Sequence, residues 1–268
     1  MQFTSLQRFD DMIEREFTLG EIRGVLWTPA QASASHPVPL ILAGQPGGAA
    51  SLEQMRPRLF PRAEAIAQTG FATATIELPG AGGRPTPEGV AEARIELRAA
   101  LSSGQPVPDG VVDRLVLPLV DQAVPEWQEA LDALLEVPEL AGPVGFSGGV
   151  VSIAVQLAAV DTRIAAAVLF AGSYVPELIM RHARKITIPL YMLLQWDDEG
   201  NDRQVALDLF DALGSTEKTL NANLGGHTGV PQHAGEDANR FFVRHLLARS
   251  HGTGGEHFDQ HGNVSRKP

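Results

Sequence analysis

The chain has 268 residues, of which 44% are hydrophobic, and this suits one large α/β domain or two small ones. Its formal net charge of −11 argues against nucleic acid and anionic membrane surfaces as partners. The chain has no cysteine, which excludes disulfides, a thiol nucleophile and thiolate metal sites. We find no apolar stretch of signal-peptide length at the N-terminus and no run as long as a membrane span, and therefore expect a soluble, cytoplasmic protein.

The first part of the chain predicts strands and helices in alternation. Residues 13–28 alternate loosely around two glycines, as in two antiparallel strands joined by a turn. Residues 38–43 form an unbroken apolar run, which is typical of a strand covered by helices on both faces. A helix at 55–69 and a strand at 71–78 follow. This strand–helix–strand order predicts an α/β fold with a mostly parallel sheet.

Residues 84–136 interrupt this alternation with apolar stripes at helical spacing. The first stripe ends near residue 101, Pro118 should kink the second, and a third begins after Pro125. The segment therefore predicts a helical insertion before the next strand. It forms either a lid or pocket wall, or an ordinary lengthened crossover, and the sequence leaves both open.

The rest of the chain returns to alternation. Strands are predicted at 164–170, 188–194 and 218–224, with helices between them and a final amphipathic helix at 236–249. Residues 250–268 are rich in Gly, His and charge without periodicity, and predict a disordered tail whose histidines are solvated. We see no repeat and no second core, so residues 1–249 are expected to form one domain.

The motif that organises this prediction is Gly-Phe-Ser-Gly-Gly at residues 145–149. It lies between a short apolar run and a helical segment, so Ser147 would lie at a sharp strand-to-helix turn. We expect a strained backbone there that pushes the hydroxyl out of the sheet, with glycines removing steric clashes. Backbone N–H groups at the start of the next helix could stabilise an oxyanion. A five-residue pattern also arises by chance, so the hypothesis of a nucleophilic serine needs a base and an acid elsewhere.

Two later loops offer that base and acid. His227 follows the last predicted strand and two glycines, whereas the other histidines lie in an early loop, on helices or further along the chain. The loop after the preceding strand offers Asp197, Asp198 and Asp202 as partners for the imidazole. We prefer Asp198, because Asp197 would still lie within the strand and Asp202 is placed to cap the next helix. Open α/β sheets collect such groups at the carboxyl ends of their strands.

With Ser147, Asp198 and His227 in this order, the chain resembles serine hydrolases of the α/β-hydrolase superfamily, closest to dienelactone-hydrolase-like members. The motifs at 145–149, 195–198 and 225–227 carry the resemblance, which extends over residues 12–248. It implies an α/β-hydrolase fold and a Ser-Asp-His catalytic triad. Dienelactone hydrolases themselves use a cysteine nucleophile, so their activity on dienelactone does not carry over to this chain.

The loop at residues 45–47 is a second departure, because it reads Gln-Pro-Gly where the family often has His-Gly-Gly. It should supply a backbone donor for the oxyanion, alongside the N–H of Gly148. Pro46 has no N–H and cannot serve. We therefore expect Gly47 to be the donor, with Gln45 as the alternative.

A pocket for a substrate with apolar bulk is expected beside these groups, lined by Met55, Tyr174 and Trp196. No dinucleotide fingerprint, P-loop or zinc spacing occurs, so we expect neither a cofactor nor a metal. The resulting hypothesis is an esterase that acts on a small-molecule ester through an acyl-enzyme. The alternatives are a biosynthetic thioesterase or acyltransferase with the same triad, and a binding protein that has lost catalysis. The sequence determines neither the substrate nor whether a homo-oligomer forms.

Overall fold

The computed structural model describes residues 1–48, 50–108 and 110–247. The strands of this part of the chain are β1 (Gln2–Arg8), β2 (Met12–Leu19), β3 (Ile22–Pro29), β4 (Val38–Gly44), β5 (Ala72–Ile76), β6 (Leu140–Gly148), β7 (Ile164–Phe170), β8 (Leu190–Gln195) and β9 (Lys218–Asn223). Its α-helices are α1 (Leu52–Ala67), α2 (Val90–Ser103), α3 (Val111–Leu135), α4 (Val151–Val160), α5 (Glu177–Ala183), α6 (Arg203–Ala212) and α7 (Gln232–Phe242). One turn of π-helix, Val243–Leu247, continues α7.

The strands form one open sheet in the order β1-β2-β3-β5-β4-β6-β7-β8-β9. The pairs from β1 to β5 are antiparallel, and every neighbouring pair from β5 to β9 is parallel. The predicted mostly parallel sheet flanked by helices is confirmed. Because the parallel strands share one direction, the loops that follow them meet at the same edge of the sheet.

The parallel strands β4 to β8 are buried along most of their length, as their apolar sequences predict, whereas β9 at the edge of the sheet has no buried residue. Every residue of β5 and of β8 is buried. On one face, the helical insertion packs Trp127 of α3 edge-to-face against Phe146 of β6, with ring centroids 5.7 Å apart. The core thus anchors β6 immediately before Ser147.

The edge strand β1 is not predicted from the sequence. It pairs antiparallel with β2, and all seven of its residues are exposed. Phe3 of β1 packs against Phe17 of β2 with ring centroids 6.5 Å apart, and the Arg15 guanidinium lies over the same Phe3 ring. Because no face of β1 is buried, it lacks the apolar alternation by which a strand is recognised.

The insertion at residues 84–136 contains two helices, so the predicted restart after Pro125 is wrong, while the kink at Pro118 stays a prediction. Helix α3 runs for 25 residues through both Pro118 and Pro125. A proline inside a helix removes one backbone hydrogen bond. The helix continues because a long apolar stripe, which includes Val116, Trp127 and Leu134, is buried against the core.

Several boundaries also differ from the prediction. Helix α1 begins three residues earlier than predicted, because Ser51 and Gln54 form a reciprocal capping box. The predicted last helix ends its regular part at Phe242. The tail predicted at 250–268 lies outside the described residues. Within the described part of the chain, no helix is long and apolar enough to cross a membrane.

We predict that Pro118→Ala raises the free energy of unfolding, because alanine restores the missing N–H to the middle of α3. The expected gain is about 1–3 kcal/mol, after allowing for the greater freedom of the unfolded chain. Denaturant unfolding measures it. Pro106→Ala, in an exposed loop, is the matched control and should give no gain. Equal stability of the two variants would contradict the expectation.

Candidate active site

The carboxyl edge of the parallel strands opens into a cavity of about 2040 Å³. Loops after β4, β6, β7, β8 and β9 line it, together with parts of α1, α2 and α3. Helices α2 and α3 thus form part of the cavity wall. Among the residues predicted for the site, those that line the cavity are Gly47, Met55, Ser147, Gly148, Tyr174, Asp198 and His227.

Ser147 lies near the end of β6 and is 4% exposed. The expected strain on its backbone is absent, since no non-glycine residue of the described chain has a positive φ. The left-handed conformation falls instead on Gly148 and Gly149, with φ of 71° and 73°. A Cβ on Gly149 would lie 2.6 Å from the Cα of Gly44, so this turn packs directly against the end of β4. Glycine is required there for both reasons.

His227 and Asp198 are joined by a hydrogen bond. The Nδ1–H of His227 donates to Oδ2 of Asp198 over 2.7 Å. The Asp198 side chain is 5% exposed, whereas that of His227 is 63% exposed and faces the cavity. Phe170 packs edge-on against the imidazole, with ring centroids 5.5 Å apart. This arrangement holds the ring and leaves Nε2 without a hydrogen bond to any described residue.

Asp198 is held as a carboxylate. Burial by itself raises its pKa, but hydrogen bonds from His227, from Asn201 and from the N–H of Gly200 outweigh burial and lower the pKa. Asn201 was not singled out from the sequence. Its amide nitrogen donates to Oδ2 of Asp198, while its amide oxygen accepts from the backbone and hydroxyl of Ser173. It therefore links the loops after β7 and β8.

The other two acidic residues of this loop have different contacts. Asp197 accepts hydrogen bonds from the N–H groups of Gly225 and Gly226, the two residues before His227. The expectation that Asp197 still belongs to the strand is wrong, because β8 ends at Gln195. Asp202 caps α6 by accepting from the N–H of Gln204, as predicted.

The structure does not join Ser147 to His227 directly. Both line the cavity, but among the described residues no hydrogen bond connects the serine hydroxyl with the imidazole. Instead, Oγ of Ser147 accepts a hydrogen bond of 3.1 Å from Nη2 of Arg62 on α1. Catalytic hydrogen bonds often form or tighten only in the complex with substrate, so this geometry is compatible with a base at His227.

Arg62 is one of four arginines that α1 and α2 contribute to the cavity wall. The four are Arg58, Arg62, Arg94 and Arg98. Within the described residues none of them forms an ion pair, in a chain of net charge −11. Sequence reasoning missed this wall, although the spacing of four residues in each pair places both arginines on one face of a helix.

The loop after β4 approaches the serine turn closely. A Cβ on Gly149 would lie 3.0 Å from the backbone nitrogen of Gln45. The Gln45 side chain is 2% exposed, does not line the cavity, and leaves its Nε2 without a partner among the described residues. Gly47 lines the cavity opposite Val150, whose side chain a Cβ on Gly47 would meet at 3.5 Å.

Two of the three predicted pocket residues line the cavity, and Trp196 does not. Met55 is buried in the cavity wall, and the hydroxyl of Tyr174 donates to the carbonyl of Gly200. Trp196 is 45% exposed and stacks on the guanidinium of Arg203, 4.1 Å from the ring centroid. It directly follows Gln195, the last residue of β8, and its contact with Arg203 lies outside the cavity.

Within the described part of the chain, no group of three or more His, Asp or Glu side chains is arranged to hold a metal ion.

We predict that Asp197→Ala lowers kcat on short p-nitrophenyl esters by on the order of 10- to 100-fold, because a misplaced His227 disturbs the geometry of the reaction. The control Asp202→Ala removes only the cap of α6. It should leave kcat near the wild-type value and lower the free energy of unfolding by about 0.5–2 kcal/mol. A normal kcat for Asp197→Ala would contradict the assigned role of Asp197.

Acid titration offers a test of the Asp198 contacts. The pKa of this carboxyl is lowered in the folded state, so its hydrogen bonds contribute stability above the unfolded pKa of about 3.9, and this stability is lost as pH falls through the lowered pKa. As the pH is lowered, the free energy of unfolding of Asp198→Asn should therefore fall less than that of the wild-type protein. Urea unfolding of both proteins between about pH 2 and pH 5 measures the difference. If the free energies of unfolding of the two proteins change equally with pH, the contacts assigned to Asp198 are wrong.

Comparisons with known proteins agree with this architecture. No protein-family model and no curated protein sequence matches the chain. Among solved structures, a cold-adapted esterase from an Arctic intertidal metagenomic library is 27% identical, with a TM-score of 0.70 over 92% of this chain and all of that one. The acetyl xylan esterase of Paenibacillus sp. R4 is 16% identical, with a TM-score of 0.62 over 91% of this chain and 88% of that one.

A Klebsiella pneumoniae protein that carries the name dienelactone hydrolase is 14% identical, with a TM-score of 0.60 over 87% of this chain and 97% of that one. At this identity the similarity shows the fold alone. The open, mostly parallel sheet, the cavity at its carboxyl edge and these similarities agree with one another. The chain has the α/β-hydrolase fold, and its predicted resemblance to esterase-like and dienelactone-hydrolase-like members of that superfamily is confirmed.

Proposed function

We propose that this hydrolase cleaves carboxylic esters through an acyl-enzyme, with Ser147, Asp198 and His227 as its catalytic triad. The observation that carries the proposal is the hydrogen bond between His227 and the buried carboxylate of Asp198, in the cavity that also contains the Ser147 turn. The solved structures with similar folds include proteins named as esterases, and this favours an ester as the substrate.

The first half of the reaction transfers the acyl group to the enzyme. Oγ of Ser147 attacks the ester carbonyl while Nε2 of His227 takes the hydroxyl proton. The carbonyl electron pair moves to oxygen and forms a tetrahedral oxyanion. When the oxyanion collapses, the bond to the alcohol breaks and His227 returns the proton to the departing oxygen.

The second half repeats these steps with water. His227 removes a proton from water, the resulting nucleophile attacks the acyl carbon, and the acid leaves as Ser147 recovers its proton. Asp198 stays ionised throughout, because its hydrogen bonds lower its pKa. It orients the imidazole and stabilises the imidazolium that forms in each half-reaction.

Backbone N–H groups are the proposed donors to the oxyanion. The N–H of Gly148, the last residue of β6, directly follows the nucleophile, and Gly47 would supply a second N–H from the loop after β4, with Gln45 as the alternative. One such donor typically contributes about 3 kcal/mol to transition-state stabilisation. The close packing of Gly149 on Gly44 supports this role, because it holds the two loops next to each other.

We predict that Ser147→Ala lowers kcat on p-nitrophenyl esters by at least about 10⁴-fold, because the acyl-enzyme can no longer form. A fluorophosphonate probe should label the wild-type protein at Ser147 and leave the variant unlabelled, which mass spectrometry of the digested protein shows. Folding of the variant is checked by circular dichroism. A folded Ser147→Ala protein that keeps its esterase rate would refute the proposal.

Acyl thioesters of matched chain length belong in the same assay. Faster turnover of thioesters than of esters, still dependent on Ser147, would assign the protein as a thioesterase. Failure of folded wild-type protein to react with the probe or with any substrate would indicate a binding protein.

A further inference from the structure

We propose that Arg62 is a further catalytic residue, whose guanidinium donates hydrogen bonds to the oxyanion that forms on the substrate. This inference rests on the proposed role of Ser147 as nucleophile. It adds a charged side-chain donor to the two backbone N–H groups described above.

The guanidinium of Arg62 lies beside the proposed nucleophile. Its Nη2 donates to Oγ of Ser147 over 3.1 Å, so it already touches the atom that would attack the substrate. A Cβ built on Gly148 would lie 3.4 Å from Nη2 and 3.5 Å from Nη1. Both terminal nitrogens therefore lie on the side of Ser147 where Gly148, the proposed backbone donor, is found. The oxyanion would be bonded to the same carbon as Oγ, within reach of these nitrogens.

The groups around Arg62 also favour this role. No carboxylate of the described residues pairs with it, and its one side-chain hydrogen bond to a described residue is to Ser147. The residue is exposed along the open cavity, but protein atoms surround the guanidinium closely enough that desolvation lowers its pKa. An arginine remains protonated under any assay condition. A cation held by a hydrogen bond beside the reacting atoms stabilises negative charge that develops there.

Oγ of Ser147 forms a bond to the carbonyl carbon, its proton passes to His227, and the carbonyl π pair becomes a lone pair on oxygen. That oxygen then accepts hydrogen bonds from Arg62 and from the N–H of Gly148. When the tetrahedral species collapses, the π bond re-forms and the alcohol leaves with the proton from His227. Arg62 keeps its protons throughout.

A different role would be recognition of a negative group on the substrate. The three other unpaired arginines of the cavity, Arg58, Arg94 and Arg98, make this the principal rival. The two roles differ in what they require of the substrate. A donor to the oxyanion acts on every ester, charged or neutral, and acts on kcat, because the charge exists only in the transition state.

The experiment compares Arg62→Ala and Arg62→Lys with wild type on a neutral p-nitrophenyl ester and on one of equal length that carries a terminal carboxylate. We expect Arg62→Ala to lower kcat by on the order of 10²- to 10³-fold on both esters with little change in KM. Guanidinium chloride at millimolar concentration should restore part of the lost rate. Affinity for an alkyl trifluoromethyl ketone, which forms an oxyanion on the serine, should fall in parallel.

Arg58→Ala is the matched control, since it removes a cation one turn earlier on the same helix and should leave kcat on the neutral ester near the wild-type value. If Arg62→Ala affects only the ester that carries a carboxylate, and raises KM rather than lowering kcat, the inference is overturned in favour of anion recognition. Unchanged rates in Arg62→Ala would overturn it outright. If the alanine variant does not fold, the same criteria apply to Arg62→Lys, which keeps a charge but not the planar fork of donors.

Failure of the inference is distinguishable from failure of the proposed function. If Ser147→Ala keeps its rate, both are wrong. If Ser147→Ala is inactive while Arg62→Ala is fully active on the neutral ester, only the role of Arg62 is wrong.

Discussion

The contact between the turn after β6 and the end of β4 is the constraint on which the site depends. Gly149 lies so close to Gly44 that a single added carbon would collide with backbone. Two consecutive glycines with positive φ let the chain leave β6 and enter α4 within this space. As a result, Ser147 itself keeps an ordinary backbone conformation while its hydroxyl reaches the cavity, because the left-handed conformations fall on residues without side chains.

Three aspartates of the loop after β8 have separate roles around the proposed base and its carboxylate partner. Asp198 contacts the imidazole, Asp197 holds the backbone that leads to it, and Asp202 caps the helix that follows. Gln195 adds a hydrogen bond from its amide to the carbonyl of Gly226. The loop after β9 is therefore bound by Asp197, Asp198 and Gln195, which limits where His227 can lie.

Charge is distributed unevenly around the cavity. The chain is acidic overall, yet helices α1 and α2 present unpaired arginines while the loop after β8 presents carboxylates. Each sign serves a separate chemical need. In the proposed reaction, a carboxylate beside His227 stabilises the imidazolium that forms when the imidazole takes the serine proton, and a cation beside Ser147 stabilises the negative oxygen of the tetrahedral species. Both charges would develop together in the same step of the proposed reaction.

The sequence by itself determined the alternation of elements, because strands buried on both faces are continuously apolar and helices show a period near 3.6 residues. It also determined the candidates Ser147, Asp198 and His227, since each follows a predicted strand of a parallel sheet and such strands end at a common edge. The sequence did not reveal strand β1, because an exposed edge strand has no buried face and therefore no apolar alternation. The sequence also did not reveal that α3 continues through Pro118 and Pro125, because packing against the core outweighs the tendency of proline to interrupt a helix.

Only the tertiary structure decided which side chains meet. Arg62 touches Ser147 across 85 positions of sequence, and nothing local to either residue encodes that contact. Trp196, two positions before Asp198 in sequence, stacks on Arg203 and does not line the cavity. Periodicity and motifs report how a segment is buried and what chemistry it carries. Contacts between distant side chains depend on how the layers pack, and a single sequence does not reveal that packing.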